Sequence, residues 1–301
     1  MSKREFHNIE NFNRLVEKGL VTKKVDDDGY ITFKYKNKVF YNNLWHLDPL
    51  LLESRGIVFD PNGELVQLPF KKTFNMGENG VKCHRDRFVT ASRKVNGFMT
   101  AATKERGKTF VSTTGTTTSE FAKLGKRYVD ALNTNAISHK FTYIFEVCDE
   151  SDPHIVAECP GIYLLGVRDK ETGALVSPSK VQEIAERLGA FSVEYETMRF
   201  DQVVQESKTT EKEGFMVSDV NTNDHILKIK SPHYLSKKAL MRIGRRKARE
   251  LFNEPEQFRK MIDEEFYALH DHLLENYNIK SWVQMDEQER GKVIENFFSQ
   301  E

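Results

Sequence analysis

Near residue 232 the hydrophobic pattern changes its period, and that change limits the folds open to this 301-residue chain. Before it, short runs rich in β-branched and aromatic residues are separated by Gly, Pro and Asp turn signals, which is the signature of strands. From Tyr234 onward apolar residues recur at helical spacing with no convincing strand. The pattern predicts an α+β chain: a body of antiparallel sheets flanked by helices over 1–232, and a small all-helical domain over 233–301. A chain of this length can bury a core in each.

Within the body, Ile9 to Leu20 has helical spacing and Gly19 marks its end. Asp26-Asp27-Asp28-Gly29 is a turn signal ahead of Tyr30 to Tyr41, whose alternation predicts a hairpin. Strands are predicted over Gly56 to Asp60 and Glu64 to Pro69, and over 87–115 with a turn at Lys104 to Lys108. Further strands are expected over His139 to Val147, Gly161 to Arg168, Gly214 to Asp219 and His225 to Lys230. A helix from about Thr118 to Leu132 has Thr117 and Glu120 at capping-box spacing, and Ser179 introduces another over Val181 to Leu188.

Composition narrows the function classes. Acidic and basic residues balance at 45 each, so local charge has to decide for or against a nucleic-acid partner. Three cysteines without close spacing (Cys83, Cys148, Cys159) point to a reducing compartment and no disulfide framework. No apolar run approaches the roughly 18 residues of a membrane span, so a soluble, cytoplasmic protein is expected, and a monomer is expected beside that. Cys148, His154 and Cys159 are three candidate ligands at irregular spacing and do not make a zinc site. Gly107-Lys108-Thr109 has Ala102 where a P-loop needs glycine, in a strand–turn–strand context.

Chemistry concentrates on Lys94-Val95-Asn96-Gly97, which follows a strand-like run. A neutral lysine amine can attack phosphorus and form a phosphoramidate. Gly97, without a Cβ, lets the backbone approach a bound ligand. Alone, Lys-x-x-Gly is a weak signal, and a solvated lysine at a strand end would be the better reading. Five further stretches shift that balance: Ser54-Arg55-Gly56-Ile57-Val58-Phe59, Lys71-Lys72-Thr73-Phe74-Asn75, Phe145-Glu146-Val147, Glu213-Gly214-Phe215-Met216-Val217 and Lys228-Ile229-Lys230. An unpaired carboxylate at Glu146, inside an apolar strand, would be costly without a role. Lys228 and Lys230 point to one side because strand side chains alternate. Each pair of lysines could otherwise be a solvated face.

In this order the motifs resemble the covalent nucleotidyltransferases, and most closely the bacteriophage RNA ligase 1 family, over about residues 30 to 234. The resemblance implies a nucleotidyltransferase body, ATP with Mg²⁺ or Mn²⁺, and adenylylation of Lys94. It implies that Arg55 and Lys72 hold the nucleotide, with Tyr35, Phe74 and Gly97 beside it. It also implies Glu146 on the ribose, Lys228 and Lys230 on the phosphates, and Glu213 near the metal or the nucleophile. Tyr234 sits where the family has a tyrosine. The implied reaction joins RNA 5′-phosphate and 3′-hydroxyl ends, as in repair of cleaved tRNA in an infected cell. Thr114 departs from the pattern, standing where a basic residue is expected.

Nearby cations are expected to free the Lys94 amine by disfavouring its charged form. Seven basic residues lie between Lys237 and Arg249 (Lys237, Lys238, Arg242, Arg245, Arg246, Lys247, Arg249) with no acid among them. They read as a track for an RNA backbone, separate from the nucleotide site. A DNA ligase or capping enzyme would follow the last lysine motif with a barrel, for which this tail has neither strands nor Gly-rich turns. An inactive ligase-like protein that binds RNA ends is the alternative that Thr114 leaves open.

Overall fold

The computed structural model describes residues 6–152, 154–243 and 245–300, without the side chains of 240–242 and 300. Three sheets carry the body. The first is antiparallel, in the order β1 (Val21–Val25), β2 (Ile31–Tyr35), β3 (Arg55–Phe59), β4 (Leu65–Gln67). Helix α1 (Ile9–Glu17) packs on it through Phe12 and Leu15, against Phe33 and Phe59. The helix stops where Gly19 takes a positive φ of 69°, as the sequence suggests.

The hairpin lies earlier than expected. Val21–Val25 pairs with Ile31–Tyr35 across the Asp26–Gly29 turn, and Asn37–Tyr41 forms a short helix, α2. The turn residues were readable. The strand before them was not, because Val21-Thr22-Lys23-Lys24-Val25 buries only its first residue well.

The second sheet runs β10 (Phe191–Ser192), β9 (Gly161–Asp169), β8 (Phe141–Cys148), β6 (Phe98–Glu105), β7 (Lys108–Thr113). It is antiparallel except for the β9–β10 pair. It packs on α4 (Glu120–Asp130) and α5 (Pro178–Leu188). Both helix starts differ from the reading by caps. Ser119, not Thr117, accepts the Ala122 N–H, while Thr117 donates to Asp26. Ser177 precedes α5, whose first residue is Pro178, so Ser179 lies inside the helix.

The third sheet runs β11 (Tyr195–Arg199), β5 (Phe88–Arg93), β12 (Gly214–Asp219), β13 (His225–Lys230), all antiparallel. Strand β11 and helix α6 (Phe200–Thr209) had no clear signal, since β11 buries only Met198. Helix α7 (Pro232–Ile243) then leads into α8 (Ala248–Asn253), α9 (Pro255–Arg259), α10 (Tyr267–Asn276), α11 (Ile279–Gln284) and α12 (Glu287–Gln300). These tail helices share a cluster of their own, built on Leu251, Phe266, Leu269, Leu273 and the fully buried Trp282.

A buried ion pair ties the first sheet to the second. Arg168 on β9 makes a two-pronged contact with Glu53, at 2.8 and 2.9 Å, and also donates to the Pro69 carbonyl. Glu53 ends the short helix α3 (Leu50–Glu53) that leads into β3. Burial alone would raise the Glu53 pKa, but the His7 ring, with Nε2 3.3 Å from the carboxylate, and the hydrogen bonds from Arg168 outweigh it and push it down to about 2. The pair's stabilisation is therefore complete above about pH 4.5 and lost as pH falls towards 2. Arg168→Ala, which strands a buried carboxylate, is expected to cost about 3–5 kcal/mol in denaturant unfolding. Its deficit should shrink in the acid range where Glu53 takes up a proton.

Candidate active site

Lys94 stands between two sheets. It follows β5 of the third sheet and precedes β6 of the second, and its N–H donates to the Gly214 carbonyl at 2.9 Å. The chain between the strands is tight. A Cβ on Gly97 would collide with the Val147 carbonyl and crowd the Glu146 side chain at 3.0 Å. Gly97 thus permits a close approach to β8 rather than to open space, and its N–H donates to Glu146 at 3.1 Å.

A cavity of about 810 Å³ opens over Lys94. Its wall includes Tyr35, Arg55, Lys72, Gly97, Thr114, Glu146, Glu213, Lys228, Lys230 and Tyr234, which places nearly every residue singled out from the sequence around one space. Strand β13 turns Leu227 and Ile229 into the core and presents Lys228 and Lys230 to the cavity. The segment carrying Lys72 is fastened to that strand: Lys228 N donates to the Phe74 carbonyl, and Met76 N to the Lys228 carbonyl, each at 2.9 Å. Phe74 itself is buried behind Lys72, edge-on to Trp45, and is not on the wall. Its ring centroid lies 5.1 Å from the Lys72 ammonium.

Thr114 lies on the wall beside β3. A Cβ on Gly56, where φ is 92°, would meet its Cα at 2.8 Å. No side chain longer than hydrogen fits at Gly56, so the threonine backbone packs directly on the strand that carries Arg55.

The electrostatics at Lys94 run opposite to expectation. Glu213 Oε1 lies 3.0 Å from its ammonium and 3.8 Å from that of Lys230. Burial draws the Lys94 pKa down, but Glu213 and then Glu146 outweigh burial and Arg55, so the net direction is up. Carboxylates, not cations, therefore set its resting state, an ammonium. Glu146 is pushed up to about 7, by burial first and by Glu213, with Lys94 opposing. Lys228 is drawn down to about 7, by burial and then by Lys230 and Lys72. It makes no ion pair among the described residues.

Several groups at the site carried no role in the sequence reading. The Asn96 side chain donates to Glu213 Oε2 at 2.9 Å and accepts from Val156 N at 3.1 Å, so it aims the carboxylate that grips Lys94. His225 lines the cavity in contact with Phe70, and burial takes its pKa down to about 4. Lys238 had been grouped with the RNA track, yet it faces the cavity. Tyr234 and Lys238 are four apart on α7 and so share a helical face, the one signal that could have found this. Of the other basic residues, Lys237, Arg245, Arg246, Lys247 and Arg249 are exposed, while the Arg242 side chain lies outside the described residues.

The fold and cleft define a ligase-type nucleotidyltransferase. An archaeal ATP-dependent RNA ligase (form 2) is similar in structure, with a TM-score of 0.61 at 12% identity, covering 97% of this chain and 77% of that one. A putative ATP-dependent DNA ligase from Aquifex aeolicus scores 0.60 at 13% identity, covering 96% and 78%. These likenesses establish the fold and do not separate RNA from DNA ligation. The family does: residues 53–234 match the RNA ligase model of the T4 type 1 group, and the chain belongs to that RNA ligase family. A search of curated proteins found no match.

Glu213→Gln should shift the titration of Lys94 down, since the largest opposing charge is removed. Amine-reactive labelling across pH, read on the Lys94 peptide, is expected to show a lower midpoint and faster labelling at neutral pH. An unmoved midpoint would mean that Glu213 does not govern the lysine.

Proposed function

We propose that the chain is an ATP-dependent RNA ligase that works through lysyl-AMP on Lys94. The observation that carries this reading is Lys94 at the floor of a cation-lined cavity, against Glu213 and within reach of the β13 lysines. In the first step the Lys94 amine attacks the ATP α-phosphorus; the P–N bond forms, the bond to pyrophosphate breaks, and the ammonium proton has Glu213 as its nearest acceptor. RNA 5′-phosphate then displaces lysine to give RNA-adenylate. The 3′-hydroxyl attacks that 5′-phosphorus and releases AMP.

Lys228 and Lys230 offset charge on the phosphates and the departing pyrophosphate. Incoming phosphate also draws these cations towards itself, while Glu213, once it takes the proton, leaves Lys94 neutral and nucleophilic. Glu146, near neutrality in its titration, can exchange hydrogen bonds with ribose hydroxyls. Arg55, Tyr35, Lys72 and Gly97 hold the nucleotide, with Phe74 supporting Lys72 from behind.

No cluster of three His, Cys, Asp or Glu converges among the described residues, and Lys228 and Lys230 are the chain's own cations toward the phosphates. Mg²⁺ or Mn²⁺ would add further neutralisation there. Exposed Arg245, Arg246, Lys247 and Arg249 suit an RNA backbone, with repair of cleaved RNA such as tRNA as the role. We further propose that 1–232 is the adenylyltransferase domain and 233–301 a helical one, in a cytoplasmic monomer.

Incubation with α-labelled ATP tests the chemistry. Wild-type protein is expected to take up label, and Lys94→Ala none. Lys228→Ala and Lys230→Ala should each lower the rate by about 10² or more. A nicked RNA stem-loop and its DNA counterpart then separate the substrates. Label on Lys94→Ala would overturn the assignment of the nucleophile, and no label on wild type would leave an RNA-end-binding protein without chemistry.

A further inference from the structure

The closing lysines are not open to solvent. Lys230 pairs with Glu265 at 2.5 Å, and Lys238 pairs with the other oxygen of the same carboxylate at 2.7 Å. Asp263 lies 2.8 Å from Lys238. Lys72 is paired with Glu264, and Glu78 is 3.4 Å from it. Lys72, Lys230 and Lys238 are each no more than 14% exposed as side chains. Glu264 and Glu265 come from one turn of the tail, Glu264–Phe266, which Asp263 caps and fully buried Phe266 pins, while Glu78 belongs to the body. The Tyr234 ring centroid lies 5.0 Å from the Lys230 ammonium and 5.8 Å from that of Lys238, so one aromatic ring serves both.

Accepting the pocket as the ATP site, we propose that Lys238 is a third polyphosphate ligand beside Lys72 and Lys230, and that Glu264 and Glu265 hold these lysines as internal stand-ins for phosphate until the nucleotide displaces them. The chemistry of the groups fits. Two adjacent carboxylates spread over three ammonium groups present oxygens as a di- or triphosphate does, with less charge. In a cleft this enclosed, phosphate oxygens next to those carboxylates would repel them strongly, so both cannot stay. Burial and then Glu78 push Glu264 up to about 7, with Lys72 opposing, so this acid gives up its place most readily. Lys230 and Lys238 outweigh burial and take Glu265 down to about 2, which makes it the firmer occupant. The tail on this view is part of the nucleotide site, and removing it would strip away both a ligand and its competitors.

The test uses the full chain and inorganic tripolyphosphate without metal as the probe, followed by titration calorimetry, with ATP KM and kcat for enzyme-AMP formation beside it. Lys238→Ala is expected to weaken tripolyphosphate about tenfold and to raise the ATP KM more than it lowers kcat, with Lys238→Arg recovering part. The pair Glu264→Gln and Glu265→Gln should bind tripolyphosphate about tenfold tighter than wild type, even where the melting temperature falls. If the double variant does not fold, each glutamine is read singly. A purely structural clasp predicts the reverse: lower melting temperatures with unchanged or weaker probe binding in every variant, which would overturn the proposal. Wild-type enzyme-AMP formation with flat probe affinities would overturn this proposal alone. The expected affinity pattern without any enzyme-AMP would uphold the cradle and overturn the ATP reading instead.

Discussion

Among the described residues seven cations, Arg55, Lys72, Arg93, Lys94, Lys228, Lys230 and Lys238, line one cleft, and much of the architecture around it answers their mutual repulsion. Like charges in a medium of low effective dielectric cannot be crowded without counter-charges or a loss of protons. Each solution is present in turn. Lys94 takes Glu213, Lys230 takes Glu265, Lys72 takes Glu78 and Glu264, and Lys228, without an ion pair among the described residues, is drawn down to about 7. The counter-charges come from the Glu78–Gly80 turn after β4, from the loop before β12, and from the tail. Neutralising the cleft is thus one reason why elements distant in sequence must meet there.

How far the sequence told of this depends on the kind of signal. Alternation on β13 placed Lys228 and Lys230 on one side, because Leu227 and Ile229 must be buried on the other. Glu146 was conspicuous as the single charged residue in Phe141–Cys148. Both readings rest on local periodicity, which survives folding intact. Short, half-exposed elements left no such trace: Val21–Val25 and Tyr195–Arg199 each bury a single residue well, so alternation had nothing to register.

The counter-charges were the part that could not be read. Glu264 and Glu265 sit among ordinary-looking acids of a helical tail, and their partners are 192 and 35 residues away in the chain. Pairing across such separations is a property of tertiary packing. The place of Lys238 could not be read for the same reason. Lys238 was counted with exposed neighbours because its charge matches theirs, whereas helical phase puts it beside Tyr234, facing the cavity. At Lys94 the error lay in sign. Cations in the motifs were visible and suggested a freed amine, but the nearest charge in space is the Glu213 carboxylate.

The strand bearing the two closing lysines is bonded along both flanks, to β12 on one side and to residues 74–76 on the other. A ribbon gripped on both margins has little freedom to bend or slide, so ligand-driven rearrangement must be expressed in its side chains and in whatever faces them. That makes the ribbon a fixed rail. Changes of nucleotide preference can be written onto it by exchanging lysine heads for other groups, while the spacing between successive positions stays where the hydrogen bonds have set it.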